Sequence, residues 1–138
     1  MTPTELVERF HRELWGAADP AAVDRYVAAD AHVEMTGSDR ATVEVMRADV
    51  ERYFGAFSDV TTEILDLFGS GDKAVLWWRT NGTHTGPYGD IAPEPTGRRI
   101  VMEGVDIYRV NDDRIDAVHS FWDAAAVYRQ FGLLAEGL

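Results

Sequence analysis

Apolar residues recur at helical spacing in the first part of the chain and at strand spacing in the remainder. Leu6, Val7, Phe10 and Leu14 fall on one stripe, and Thr2, Pro3 and Glu5 form a capping-box start ahead of them. Residues 3 to 16 therefore predict an amphipathic helix. Asp19 with Pro20 after it predicts a shorter helix through about Tyr26, and "AHVEM" (31 to 35) a brief strand. In "TVEVMRADVERYFGAF" the positions Met46, Val50, Tyr53, Phe54 and Phe57 share one stripe, which predicts a third helix.

After Asp59 the period shortens. "VTTEILDLF", "KAVLWWRTNGTH", "RRIVMEGVDIYRV" and "RIDAVHSFW" are rich in β-branched and aromatic residues and are separated by the turn signals "GSGD" and "NDD" or by a loop. The loop is "TGPYGDIAPEPTG", where Pro87, Pro93 and Pro95 forbid regular structure. Helices first and strands afterwards argue for one α+β domain over residues 1–138. Its helices cover one face of a curved, mostly antiparallel sheet and leave an apolar pocket where they fail to fill the cone.

Strand parity selects candidate pocket residues, because positions two apart share a face. In the last strand Ile115, Ala117, His119, Phe121 and Asp123 form one set, so a histidine, a phenylalanine and an acid are expected together. Met102, Gly104, Asp106 and Tyr108 share a face of the preceding strand, and Trp78, Thr80, Gly82 and His84 a face of the one before. Both sets are expected inward, since a polar group among large apolar ones needs a reason. Gly82 and Gly104 are expected to leave room for a ligand or a bulge. Asp123 precedes "AAAVYRQF" and suits a helix N-cap, yet its aromatic neighbours would raise its pKa and suit it to proton transfer. Asp106 reads as a second acid or as the ion-pair partner of Arg79. His11 and His32 read as structural.

Composition narrows the partners. A formal net charge of −11 argues against nucleic acid and anionic lipid. The chain has no cysteine, which excludes disulfides and thiolate metal sites. No apolar run reaches the length of a membrane span and the N-terminus lacks a secretory core, so a cytoplasmic protein is expected. No histidine pair has helical metal-ligand spacing, and no metal is expected. "GSGDKA" is a hairpin turn with no helix behind it to bind phosphate.

From Gly82 to Leu134 the sequence resembles the SnoaL-like polyketide cyclases (ester cyclases) of the nuclear transport factor 2-like superfamily. The matching positions are Gly82, Thr83, His84 and Gly86; Pro95, Thr96, Gly97 and Arg98; Gly104, Asp106, Tyr108 and Arg109; and Asp123 with Gln130, Phe131 and Gly132. The helices before residue 60 fit in order and length. The resemblance implies an α+β cone with a deep pocket, dimerised through its sheet, with no cofactor. It also implies an aspartate at position 123 that takes a proton from an activated carbon, so that the enolate closes a ring by aldol addition, with nearby histidines binding or polarising the substrate. Many members carry "EHWD" where this chain has "HSFWD", and the proline loop holds an added acidic turn, "DIAPEP".

The expected function is thus cofactor-free acid–base chemistry, an intramolecular aldol cyclisation or isomerisation, on a hydrophobic, polyketide-like carbonyl compound. Asp123, His119 and His84 are the candidate catalytic residues, and Trp78, Met102, Asp106, Tyr108, Phe121 and Tyr53 the candidate binding residues. The alternatives are an epoxide hydrolase using Arg79, Asp106 and Asp123 to activate water, and a ligand-binding or dimerisation module without turnover.

Overall fold

Helix α1 (Pro3–His11) opens as expected, with the Thr2 hydroxyl accepting from the Glu5 amide and the Glu5 carboxylate accepting from the Thr2 amide. The computed structural model describes residues 1–134. The first helix runs on as a π-helical turn at Arg12–Gly16. Helix α2 (Ala22–Tyr26) leads into strand β1 (Val27–Met35), four residues longer at its start than the polar pattern suggested, and α3 spans Val43–Ala56. Strands β2 (Phe57–Ser70), β3 (Lys73–His84), β4 (Arg99–Asn111) and β5 (Arg114–Trp122) follow, then α4 (Ala124–Gln130). No helix among the described residues is long and apolar enough to cross a membrane.

The strands form one sheet in the order β1-β5-β4-β3-β2. β1 runs parallel to β5, and the other pairs are antiparallel. Register breaks in β2, between Ser58 and Thr61 and between Ile64 and Asp66, bend the sheet around the helices. The β4–β5 hairpin turns at Asp112 and Asp113, both left-handed at φ 52° and 57°, as a tight hairpin turn requires. Asn111 then pairs with Arg114 and Val110 with Ile115, but Arg109 pairs with Ala117, so Asp116 is an extra residue. Its carboxylate accepts from Arg109 Nε at 2.7 Å. This one-residue bulge sets which side chains of β5 face inward from that point on.

The helices pack their apolar stripe on the concave face, where Leu6, Phe10, Leu14 and Val50 meet Leu76, Tyr108 and Val118. A second cluster, including Phe57, Tyr88, Ile100 and Phe131, lies beneath the proline loop and α4. Within that loop Tyr88 is buried and forms a bridge with Ala92. The convex face leaves Trp77, Val101, Ile107 and Phe121 exposed.

Candidate active site

A cavity lies between the helices and the concave face. It contains about 680 Å³ of unfilled space, its open mouth included. Trp15, Met46 and Tyr53 wall it from the helices, and Trp78, Met102, Tyr108 and Trp122 from the sheet. Asp49, Thr80, Asp106 and Ser120 are among its polar positions. Gly104 makes this wall possible: a Cβ there would lie 2.5 Å from the Trp78 ring and 2.4 Å from the Phe121 carbonyl oxygen. Gly82 likewise admits Phe57, whose Cβ would be 2.8 Å away. The space expected for a ligand at these glycines is therefore taken by side chains and, at Gly104, by backbone.

Asp106 is the most deeply placed acid of the cavity, with 6% of its surface exposed. Its position is fixed by strand pairing, since Asp106 stands opposite Leu76 on β3 and Ser120 on β5. The Ser120 hydroxyl donates to Oδ1 and the Tyr108 hydroxyl to Oδ2, each at 2.7 Å. Burial pushes the carboxyl above its usual range, and these two donors offset only part of that. The Trp78 indole N–H lies near enough to favour the charged form, but makes no full hydrogen bond among the described residues. The negative charge of Asp49 adds to the rise.

Asp49 is less enclosed, with 27% of its side chain exposed, and pairs with Arg52 at 3.0 Å. Its carboxyl is also raised by burial, against the pull of Arg52. The Arg52 guanidinium carbon lies 5.0 Å from the centroid of the Tyr88 ring. Tyr88 is pushed up to about 12 by burial. The Tyr53 hydroxyl, raised by burial as well, has no hydrogen-bond partner among the described residues. On the β2–β3 side, Thr80 is joined to Thr62 at 2.7 Å, and Thr62 to His11 Nε2 at 2.8 Å.

Of the residues expected at the pocket, Trp78, Met102, Asp106, Tyr108 and Tyr53 line this cavity. The others lie elsewhere. The bulge at Asp116 turns Val118, Ser120 and Trp122 inward, so His119 and Phe121 point to the convex face, and Phe121 is 54% exposed. Asp123 is exposed and caps α4, accepting from the Ala126 amide at 3.0 Å. It is not the dry carboxylate that its aromatic neighbours suggested. His84 is fully buried but sits beside the cavity, under the proline loop. Its Nδ1 accepts from the Thr96 amide at 3.1 Å, which leaves the proton on Nε2, and its ring meets Phe131 edge-on at 4.9 Å. It fastens the loop. Arg79 is on the convex face, where it donates to Glu103 at 3.0 and 3.1 Å, so Arg79, Asp106 and Asp123 are not brought together.

Asp49, Trp15, Tyr88, Ser120 and Trp122 escaped the sequence reading. Asp49 carried a usable signal, being three residues after Met46 and four before Tyr53 and hence on the same helical face. Sheet pairing also gathers His32, Glu34 and His119, although none of them has helical ligand spacing.

The family profile described as SnoaL-like polyketide cyclase matches residues 5–131. No curated sequence matches the chain. Among solved structures, TsrD from Streptomyces laurentii is 26% identical with a TM-score of 0.78, covering 94% of each chain. A protein from Acidithiobacillus ferrooxidans is 28% identical with a TM-score of 0.78, covering 96% of each chain. An NTF2-like protein from Burkholderia thailandensis shares the fold at 21% identity and a TM-score of 0.72, covering 94% of this chain and 97% of that one. Because the match spans residues 5–131 of this chain, the chain belongs to the SnoaL-like polyketide cyclase family.

Proposed function

We propose that this chain is an acid–base enzyme for a hydrophobic carbonyl compound, with Asp106 as the proton-transfer group. The observation that carries the reading is a buried carboxylate of raised pKa on the wall of an apolar cavity. In the reaction, an oxygen of Asp106 takes the proton from a carbon next to a carbonyl, and the electron pair moves to the carbonyl oxygen. The Tyr53 hydroxyl, which keeps its proton at working pH, donates to that oxygen. In a cyclisation the enolate carbon attacks a second carbonyl of the same molecule, and the new alkoxide takes back the proton held by Asp106. In an isomerisation the proton returns to another carbon. Neither route leaves a net proton on the protein, and a proton flanked by two carbonyls is acidic enough for a carboxylate, so the reading requires no cofactor. The apolar cavity holds the reacting ends together.

The test is hydrogen–deuterium exchange at the activated carbon of aryl 1,3-dicarbonyl compounds in D2O, followed by NMR. The native chain and Asp123→Asn accelerate exchange, and Asp106→Asn does not. Equal acceleration by Asp106→Asn would overturn the assignment. The same reading includes a homodimer through the convex sheet face, supported by the exposure of Trp77, Val101, Ile107 and Phe121. A monomer in sedimentation at micromolar concentration would count against that part.

A further inference from the structure

Three side chains that the cavity chemistry does not use come together on the convex face. His32 and Glu34, two residues apart on the edge strand β1, share a face, and Glu34 pairs with His119 on β5. His32 Nε2 lies 2.7 Å from Glu34 Oε1, and His119 Nε2 lies 2.6 Å from Glu34 Oε2. One ligand atom from each residue lies within 4.8 Å of the other two. The imidazoles stand edge to face with centroids 6.0 Å apart.

We propose that His32, Glu34 and His119 bind one divalent transition-metal cation of the zinc type, through two imidazole Nε2 atoms and one carboxylate oxygen. Metal–ligand bonds of about 2.0 to 2.2 Å place neighbouring ligand atoms of a tetrahedral site about 3.4 Å apart. The present contacts need only open by less than an ångström, while the two nitrogens need close to no more than that spacing from within 4.8 Å. Rotation of these half-exposed side chains supplies both movements, because the backbone already holds the three Cβ atoms on one face of a paired sheet. A ring that ligates through Nε2 carries its proton on Nδ1 instead. Glu34 accepts a hydrogen bond from each histidine and supplies the carboxylate oxygen of the site.

Two nitrogen donors favour zinc, nickel or copper over magnesium or calcium, which prefer all-oxygen sites. The net charge of −11 draws cations to the surface in general. Three protein ligands leave a fourth position for water, beside the cleft that Glu34 and His119 share with Ser38 and Asp39. The cluster and Asp106 are on opposite faces of the sheet, so this inference is independent of the proposed acid–base reaction.

Isothermal titration of the metal-stripped full chain with zinc chloride at neutral pH tests it, with cobalt(II) absorption as a second readout. One zinc per chain with micromolar or tighter Kd is expected, together with the visible bands of four-coordinate cobalt. His32→Ala, Glu34→Gln and His119→Ala, all at half-exposed positions, each weaken binding at least about tenfold. Asp113→Asn, in the exposed β4–β5 turn, leaves binding unchanged. Stoichiometry well below one at a several-fold excess of zinc, or unaltered affinity in all three ligand variants, overturns the site.

Discussion

Ser120 stands directly across the β4–β5 ladder from Asp106 and donates its hydroxyl proton to Oδ1 at 2.7 Å. The bond favours the ionised acid, in opposition to the burial that disfavours it. Ser120→Ala removes one of these stabilising donors, so the Asp106 pKa rises further. The acidic limb of the kcat/KM profile then moves to higher pH, with the plateau nearly preserved. An unmoved limb would separate Asp106 from the observed ionisation.

Asp106→Asn separates catalysis from stability. Loss of the proton carrier lowers turnover at least about a hundredfold. A carboxyl whose folded pKa is raised stabilises the fold at low pH, and that contribution is lost as pH rises through the folded pKa. Above that point the native chain bears the cost of a buried charge, and the asparagine variant does not. Its melting temperature is therefore expected to equal or exceed that of the native chain at pH 8, with the difference shrinking or reversing on acidification. Calorimetry across pH measures this.

His11 gives the opposite slope. Burial, helped by Arg12, lowers it from 6.5 to about 4. The unfolded chain takes up the proton first, so stability present above pH 6.5 falls progressively down to about pH 4. The loss is on the order of 3 kcal/mol. Chemical denaturation at several pH values reads it, and His11→Asn flattens that part of the curve.

Asp123→Ala tests the capping assignment. Removing the acceptor for the Ala126 amide costs about 1 kcal/mol of stability. Activity of the folded protein persists, because the carboxylate is outside the cavity. Loss of turnover in a fully folded variant would return a chemical role to this position.

Gly104→Ala crowds the Trp78 ring and the Phe121 carbonyl. A destabilisation of about 1 to 3 kcal/mol is expected, with altered tryptophan fluorescence as the indole is displaced.

Much of this architecture is legible from periodicity. The stripe of Leu6, Phe10 and Leu14 and the inward sets of β3 and β4 lie where the spacing puts them. The face of β5 does not follow in the same way. If the turn at Asp112 and Asp113 led into an unbroken ladder, Asp106 would stand opposite His119, and Phe121 would face inward beside it. Asp116 moves the pairing by one residue and puts Ser120 there instead. Nothing in a single sequence marks that bulge. His84 has the inward parity expected of it, but it lies at the strand end, where the proline loop covers it. The gathering of His32 with His119 depends on β1 pairing with a strand more than eighty residues away, which local pattern does not encode.

The extra residue at position 116 ties the chemistry of the two sheet faces to a single codon. Its deletion would restore the unbroken ladder, carry His119 away from Glu34 and set an imidazole beside Asp106, while Ser120 passed to the outside. An acid with a hydroxyl donor would become an acid facing a histidine, and the surface cluster would lose a member in the same step. Neither site can change its β5 contribution by insertion or deletion without rewriting the other.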